Sequence, residues 1–134
     1  MVGDRIIVGE CRGEETLDML QAMNTGHDGS LSTGHGNSIQ DMLSRLEMMV
    51  LMGNNLPLQA IRKQIAMGIN IMIHLEKGKD KKRRVVEIAE ILGVENEEIQ
   101  RNTLYRYEKG KLKRIGKLQS VEKSRQFLEA ENVD

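Results

Sequence analysis

Glu10 closes a short apolar run, Arg5 to Gly9, and two histidines, His27 and His35, follow in a polar, glycine-rich stretch. A carboxylate at the carboxyl end of a buried parallel strand lies where α/β proteins place their ligands. There it can accept a proton from water or hold a magnesium-bound water. A histidine can donate to a phosphate oxygen, shuttle a proton or bind a metal. An acid followed by a histidine-bearing loop therefore suits a nucleotide-hydrolysing site. The acid would prepare a water and the polar groups would sense a phosphate. Each signal also has a plainer reading, since an apolar run that ends in an exposed acid is common.

Other chemistries fit less well. His27 and His35 stand eight residues apart, which is not a usual zinc-ligand spacing, and no Cys or His pair completes four ligands. Glu10, His27 and His35 could still supply the three protein ligands of a metal-dependent hydrolase. Donation to a phosphate needs only one well-placed nitrogen. The segment Gly34-His35-Gly36-Asn37-Ser38 resembles half of a dinucleotide fingerprint, but Ile39 stands where the third glycine belongs. Its glycines still allow close backbone approach to a phosphate. The phosphate-cradling pattern G-x-x-x-x-G-K-[ST] is not found. Gly78-Lys79, Gly110-Lys111 and Gly116-Lys117 are followed by Asp80, Leu112 and Leu118, so the N–H cradle and its lysine are missing. Cys11, between Glu10 and Arg12, invites a nucleophile reading; a lone thiol at an apolar strand end is more often packing. His74 reads as structural, and Met48, Met49 and Met52 read as helix core. Arg45 and Arg62 fall on predicted helices, where most arginines face solvent or pair with a nearby acid.

The elements that must position these groups divide the chain in two. Arg5 to Gly9 and Ser30 to Thr33 read as strands around a helix, Gly13 to Asn24, with a turn at Gly26-His27-Asp28-Gly29. Glu14 and Glu15 sit at that helix's start, where its dipole favours acids. Asn37 or Ser38 caps a second helix, Ile39 to Met52, striped by Met42, Leu43, Leu46, Met49 and Val50. Pro57 opens a third, Leu58 to Met67. This is β-α-β-α-α, the wiring of an α/β layer with a parallel sheet. The pattern then changes to a hairpin: strand Ile69 to Leu75, turn Lys77 to Lys82, strand Arg83 to Leu92. A polar connection, Gly93 to Glu98, leads to a strand at Thr103 to Tyr107 that ends at Glu108-Lys109-Gly110-Lys111. A terminal helix, Val121 to Ala130, follows with Ser120 as its cap.

Composition sets bounds. The chain has 134 residues, enough for one modest domain. Phe127, Tyr105 and Tyr107 are the only aromatics, so the core rests on Ile, Leu, Val and nine Met. One cysteine excludes an internal disulfide and suits a reducing compartment. No apolar run approaches membrane-span length, and the first residues lack a signal peptide's pattern, so a soluble intracellular protein is expected. Net charge is formally zero but uneven. Residues 1–60 hold three basic and eight acidic side chains, and 61–134 hold seventeen and twelve. The densest basic run, Lys77 to Arg84, reads as a solvated hairpin turn. No aromatic interleaves it to stack bases, and no nucleic-acid partner is expected.

Taken together these segments resemble the ATPases of type II and type IV secretion and pilus assembly, most nearly the tight-adherence (CpaF/TadA-like) branch. The residues that carry the resemblance are Asp4-Arg5-Ile6-Ile7-Val8-Gly9-Glu10-Cys11-Arg12-Gly13, similar to the family's Walker B segment. Leu17 to Ser30 continues it, and Ser32-Thr33-Gly34-His35-Gly36-Asn37-Ser38 is similar to the histidine box. Leu43 to Val50 and Ile61 to Leu75 also fit, and the match weakens beyond residue 92.

The resemblance implies the C-terminal half of a P-loop NTPase (RecA-like) α/β fold: parallel strands with helices, then antiparallel strands and a terminal helix. It implies one partial motor domain over 1–134, with an α/β part at 4–68 and a β-hairpin region with C-terminal helix at 69–134. Glu10 would be the Walker B acid, acting on magnesium through water and polarising the attacking water. Gly9 stands where many P-loop proteins carry the magnesium-side Asp. His35 would sit near the γ-phosphate, with His27, Arg12 and Thr33 in the phosphate vicinity and Arg45 and Arg62 at a subunit interface. ATP and magnesium are the implied cofactors. The implied assembly is a hexameric ring on the cytoplasmic face of the inner membrane, with secretion-platform proteins as partners. Met1-Val2-Gly3 stands where the family's chain continues backwards into its N-terminal domain, acidic box and phosphate loop, so a truncated gene product or an excerpt is expected. Such a fragment would hydrolyse ATP weakly or not at all. The alternative is a non-enzymatic module that joins a ring of intact subunits.

Overall fold

A computed structural model describes residues 7–13, 15–24 and 30–119, with the side chains of Ile7 and Val8 excepted. His27, Glu14, the start of the first predicted strand and the predicted terminal helix lie outside the described residues. The described elements run β1 (Ile7–Val8), α1 (Glu15–Asn24), β2 (Leu31–Ser32), α2 (Ile39–Gly53), α3 (Leu58–Gly68), β3 (Ile71–Lys77), β4 (Arg83–Glu95), β5 (Glu98–Glu108) and β6 (Lys111–Arg114). The architecture is mixed α/β with an antiparallel sheet. It divides into two compact units. One holds the described residues through Ile69 together with Gly93–Ile99, and the other holds Asn70–Leu92 and the described residues from Gln100.

In the first unit β1 and β2 pair in parallel, Ile7 with Leu31 and Val8 with Ser32. Local chemistry sets the helix starts. The Glu15 carboxylate accepts the N–H of Arg12 at 2.7 Å and of Gly13 at 3.1 Å, satisfying donors just ahead of α1. At α2, extended Ser38 accepts the Asp41 N–H at 3.0 Å, and the Asp41 carboxylate accepts the Asn37 N–H at 2.8 Å. This is a reciprocal cap. Pro57, with φ −60°, presets the entry to α3. The core joins Leu17, Met19 and Leu20 of α1, Ile39, Leu43, Leu46 and Val50 of α2, and Ile61, Ile65 and Ala66 of α3. The expected methionine core is corrected here. Met48 and Met52 are well exposed, because the i, i+3, i+4, i+7 stripe of α2 falls on Ile39, Leu43, Leu46 and Val50 instead.

The antiparallel sheet is a meander with strand order β3-β4-β5-β6; its β4–β5 tip, Gly93–Ile99, belongs to the first unit and its other described residues to the second. The expected polar connection at Gly93 to Glu98 is also corrected. β4 runs on to Glu95, β5 begins at Glu98, and Asn96 and Glu97 alone make the turn, both at positive φ. That is the backbone of a two-residue type I′ hairpin. A second such turn, Lys109-Gly110, adds the unexpected strand β6. β3 starts at Ile71, since the Ile69 N–H still bonds back to the Ile65 carbonyl at 3.1 Å. Among the described residues no helix is long and apolar enough to cross a membrane.

Candidate functional site

The parallel pair β1–β2 brings two loops side by side. Past the strands the ladder continues: the Cys11 N–H donates to the Thr33 carbonyl at 2.9 Å, and the Thr33 hydroxyl donates to the Gly9 carbonyl. These bonds fix Glu10 beside the loop that carries His35. His35 Nε2 lies 2.9 Å from Glu10 Oε1. Arg12 reaches the other oxygen, Glu10 Oε2, through Nε at 2.8 Å and Nη2 at 2.6 Å. The Glu10 side chain is 21% exposed, flanked by His35 at 88% and Arg12 at 79%. A partly sunken carboxylate thus sits between two groups open to solvent. With donors on both oxygens it cannot swing freely; Arg12 occupies both lone pairs of Oε2, and Oε1 keeps one for a water.

The loop after Thr33 must pass closely over α2. A Cβ on Gly36 would lie 3.2 Å from both the Met42 N and Cβ, so the helix backbone would have to give by a few tenths of an ångström to admit one. A Cβ on Gly34 would meet only the mobile end of the Met42 side chain and, at 3.4 Å, Cys11 Sγ. Cys11 is buried, and burial raises its thiol pKa. A protonated, buried thiol is a poor nucleophile, in line with its reading as packing.

The fold therefore unites Glu10, Arg12, Thr33 and His35. Arg45 lies on α2, paired with Asp41 at 2.9 Å. Arg62 lies on α3, bonded to Glu47 at 2.9 Å and to the Glu97 carbonyl at 2.6 Å. Glu47 holds the Arg62 pKa above its usual value. These last groups border a polar cleft of about 240 Å³ that also takes in Gln40, Ser44 and Glu98. Sequence spacing carries no sign of it, because its members come from two helices and a hairpin tip. His74, mostly buried, lies 3.2 Å from Glu76, as a structural histidine would. Among the described residues no group of three His, Cys, Asp or Glu side chains could hold a metal. The three-ligand hydrolase reading thus depends on His27, outside the described residues.

The comparisons agree with one another. The Type II/IV secretion system protein family matches residues 1–87. A putative conjugal transfer protein of Mycobacterium tuberculosis is 35% identical over 107 residues, 80% of this chain and 30% of its own length. The type IV secretion system protein PtlH of Bordetella pertussis is 38% identical over 93 residues, 66% of this chain and 27% of its own. Among solved structures, the VirB11 ATPase of the Brucella suis type IV secretion system, in complex with sulphate, matches with a TM-score of 0.61. That match is 30% identical and covers 66% of this chain and 28% of the other. The chain thus spans about 30% of the length of the curated relatives it matches. With residues 1–87 matched and both strand-end loops inside that span, the chain belongs to the type II/IV secretion system protein family.

Proposed function

We propose that this chain is the part of a secretion ATPase motor that carries its water-polarising acid, Glu10, and a phosphate-side histidine, His35. The whole protein would couple ATP hydrolysis to protein secretion or pilin assembly. The observation that carries the reading is the 2.9 Å contact between His35 Nε2 and Glu10 Oε1 at the carboxyl end of a parallel strand pair. The family and the likeness to a VirB11 ATPase support it.

Glu10 is suited to orient a water, because Arg12 and His35 hold its two oxygens and leave a lone pair free on Oε1. His35 and Arg12, both open to solvent, can turn their N–H groups towards a phosphate. A single carboxylate of this kind fits magnesium, which keeps several waters and takes one or two carboxylates plus phosphate oxygens. Glu10 would hold it through a water. When bound, magnesium supplies charge neutralisation of the phosphates. Thr33 ties the two loops together and so keeps Glu10 and His35 in register. Phosphoryl transfer is mainly positioning and charge stabilisation, and these 134 residues contain no phosphate-cradling loop. The fragment is therefore a partial, RecA-like motor domain that is weak or inactive alone. The complete protein would be a hexameric ring of the tight-adherence type at the cytoplasmic face of the inner membrane. Arg45 and Arg62 would lie near its subunit interface.

Calorimetry of magnesium-ATP against this polypeptide should show no binding at micromolar nucleotide. In a longer protein that includes a phosphate loop and hydrolyses ATP, Glu10→Gln should lower kcat at least about 100-fold while nucleotide still binds. An unchanged kcat in that variant would remove Glu10 from the mechanism.

A further inference from the structure

The meander brings two basic turns, distant in sequence, to one end of its sheet. In the order β3-β4-β5-β6, the β3–β4 and β5–β6 turns leave by the same strand ends. The first turn closes where Lys77 pairs with Arg83, and the second where Glu108 pairs with Lys111. Side chains tie the two together. The Arg84 guanidinium reaches back to Asp80 in the first turn at 2.7 Å and lies 5.4 Å over the ring of Tyr107, beside the second. Tyr107 is in turn the cross-strand partner of Leu112.

Residues 76–84 and 108–111 together hold eight basic and three acidic side chains. Lys77, Lys79, Lys81 and Lys82 of one turn and Lys109 and Lys111 of the other are all exposed. Of the three acids, Asp80 is already taken by Arg84, and Glu76 lies 3.2 Å from His74. One basic run alone reads as a solvated turn. Two runs on one sheet end make a field that neither makes by itself. The first turn also holds its own shape: the Gly78 N–H donates to the Lys82 carbonyl, and the Lys81 N–H donates to the Gly78 carbonyl, both at 2.9 Å.

The chemistry of this end selects among polyanions. Its exposed cations are mostly lysines, hydrated point charges without the arginine fork that grips a single phosphate. Tyr107, the aromatic nearest the turns, carries Arg84 on its ring in place of a base. Aliphatic side chains stand beside the lysines. Leu75, two residues before Lys77, is 55% exposed, and Leu112, between Lys111 and Lys113, is 42% exposed. A nucleic-acid backbone offers such side chains nothing. A bilayer surface offers negative headgroups with acyl chains just beneath, and suits both.

We propose that this sheet end is a contact surface for an anionic lipid membrane, with the lysines at the headgroups and Leu75 and Leu112 at the acyl boundary. It gives a surface to the membrane location proposed above and rests on that reading for the location alone.

Each cation at such a membrane surface is worth roughly fivefold in affinity. The 134-residue chain should sediment with vesicles of phosphatidylcholine containing one quarter phosphatidylglycerol, and not with vesicles of phosphatidylcholine alone. Lys79→Ala with Lys111→Ala takes one charge from each turn and spares the positive-φ positions Lys81 and Lys109. That pair should weaken binding about 25-fold. Lys63→Ala with Lys117→Ala makes the same charge change on α3 and after β6, and should weaken it less than about fivefold. Duplex DNA at equal phosphate concentration should not displace the chain from the vesicles. No vesicle binding, or equal losses in the two double variants, would overturn the proposal. Displacement by DNA would overturn it too and assign the surface to nucleic acid. No nucleotide enters the test, so its failure would leave the Glu10 assignment standing.

Discussion

At the residue scale the site depends on two glycines with different duties. Both sit in the histidine loop and both read, in sequence, as backbone flexible enough to approach a phosphate. The fold gives them a second task, clearance over α2 at Met42. At Gly36 the obstacle is helix backbone, which yields less readily than a side-chain end. Gly36→Val should therefore cost about 1–3 kcal/mol and displace His35 from Glu10. At Gly34 the obstacle is the end of a flexible thioether, so Gly34→Ala should cost less than about 1 kcal/mol. Urea denaturation of the two variants checks the contrast, and equal losses would refute it. Arg12 was expected only near the phosphate; its pairing with Glu10 emerges from the fold, where residues two apart on extended chain share a side. The Glu10–His35 contact was legible only as a resemblance. Twenty-five positions separate the two residues, and only the parallel register of Ile7 with Leu31 closes that gap.

At the scale of elements, periodicity found the three helices within a residue or two, because each carries a buried stripe and a start signal that local chemistry enforces. Ser38 is such a signal, and Ser38→Ala should cost about 1 kcal/mol in thermal or urea unfolding. The hairpin tip was not legible. Asn96-Glu97 lacks the glycine that marks a type I′ turn, and a polar run containing Gly93 looks like a connection. Both residues nevertheless adopt φ of 52° and 67°. The Glu97 carbonyl is held by Arg62 and Gln59, so contacts from α3 compensate for a costly backbone state. Those contacts use main-chain oxygen and survive loss of the side chain. Glu97→Gly should therefore stabilise the protein by about 0.5–1 kcal/mol, seen as a higher urea midpoint, and a lower midpoint would contradict this account.

At the scale of the whole molecule the charge is balanced overall yet divided, and the carboxylates of Glu15, Asp41 and Asp80 act as structural acceptors. Backbone N–H groups led by that of Arg12 hold the Glu15 pKa below the usual carboxylate range. The Asn37 N–H, then Arg45, does the same for Asp41. The Arg84 guanidinium, then the Lys82 N–H, does so for Asp80. A carboxyl group whose folded pKa lies below its unfolded value stabilises the fold fully above the unfolded value, about 4. That contribution disappears as pH falls through the folded value, when the group must take up a proton. All three shifts have this sign, so the contribution of these groups to the urea midpoint should be constant between about pH 7 and 5 and should be lost below about pH 4. The groups face solvent, so added salt should shrink the part contributed by Arg45 and Arg84 more than the part contributed by backbone donors. Asp41→Asn isolates one contributor. It should lower the midpoint at neutral pH and reduce the further loss on going from pH 5 to pH 3. An acid limb as steep as that of the unsubstituted chain would show that Asp41 does not couple proton uptake to folding.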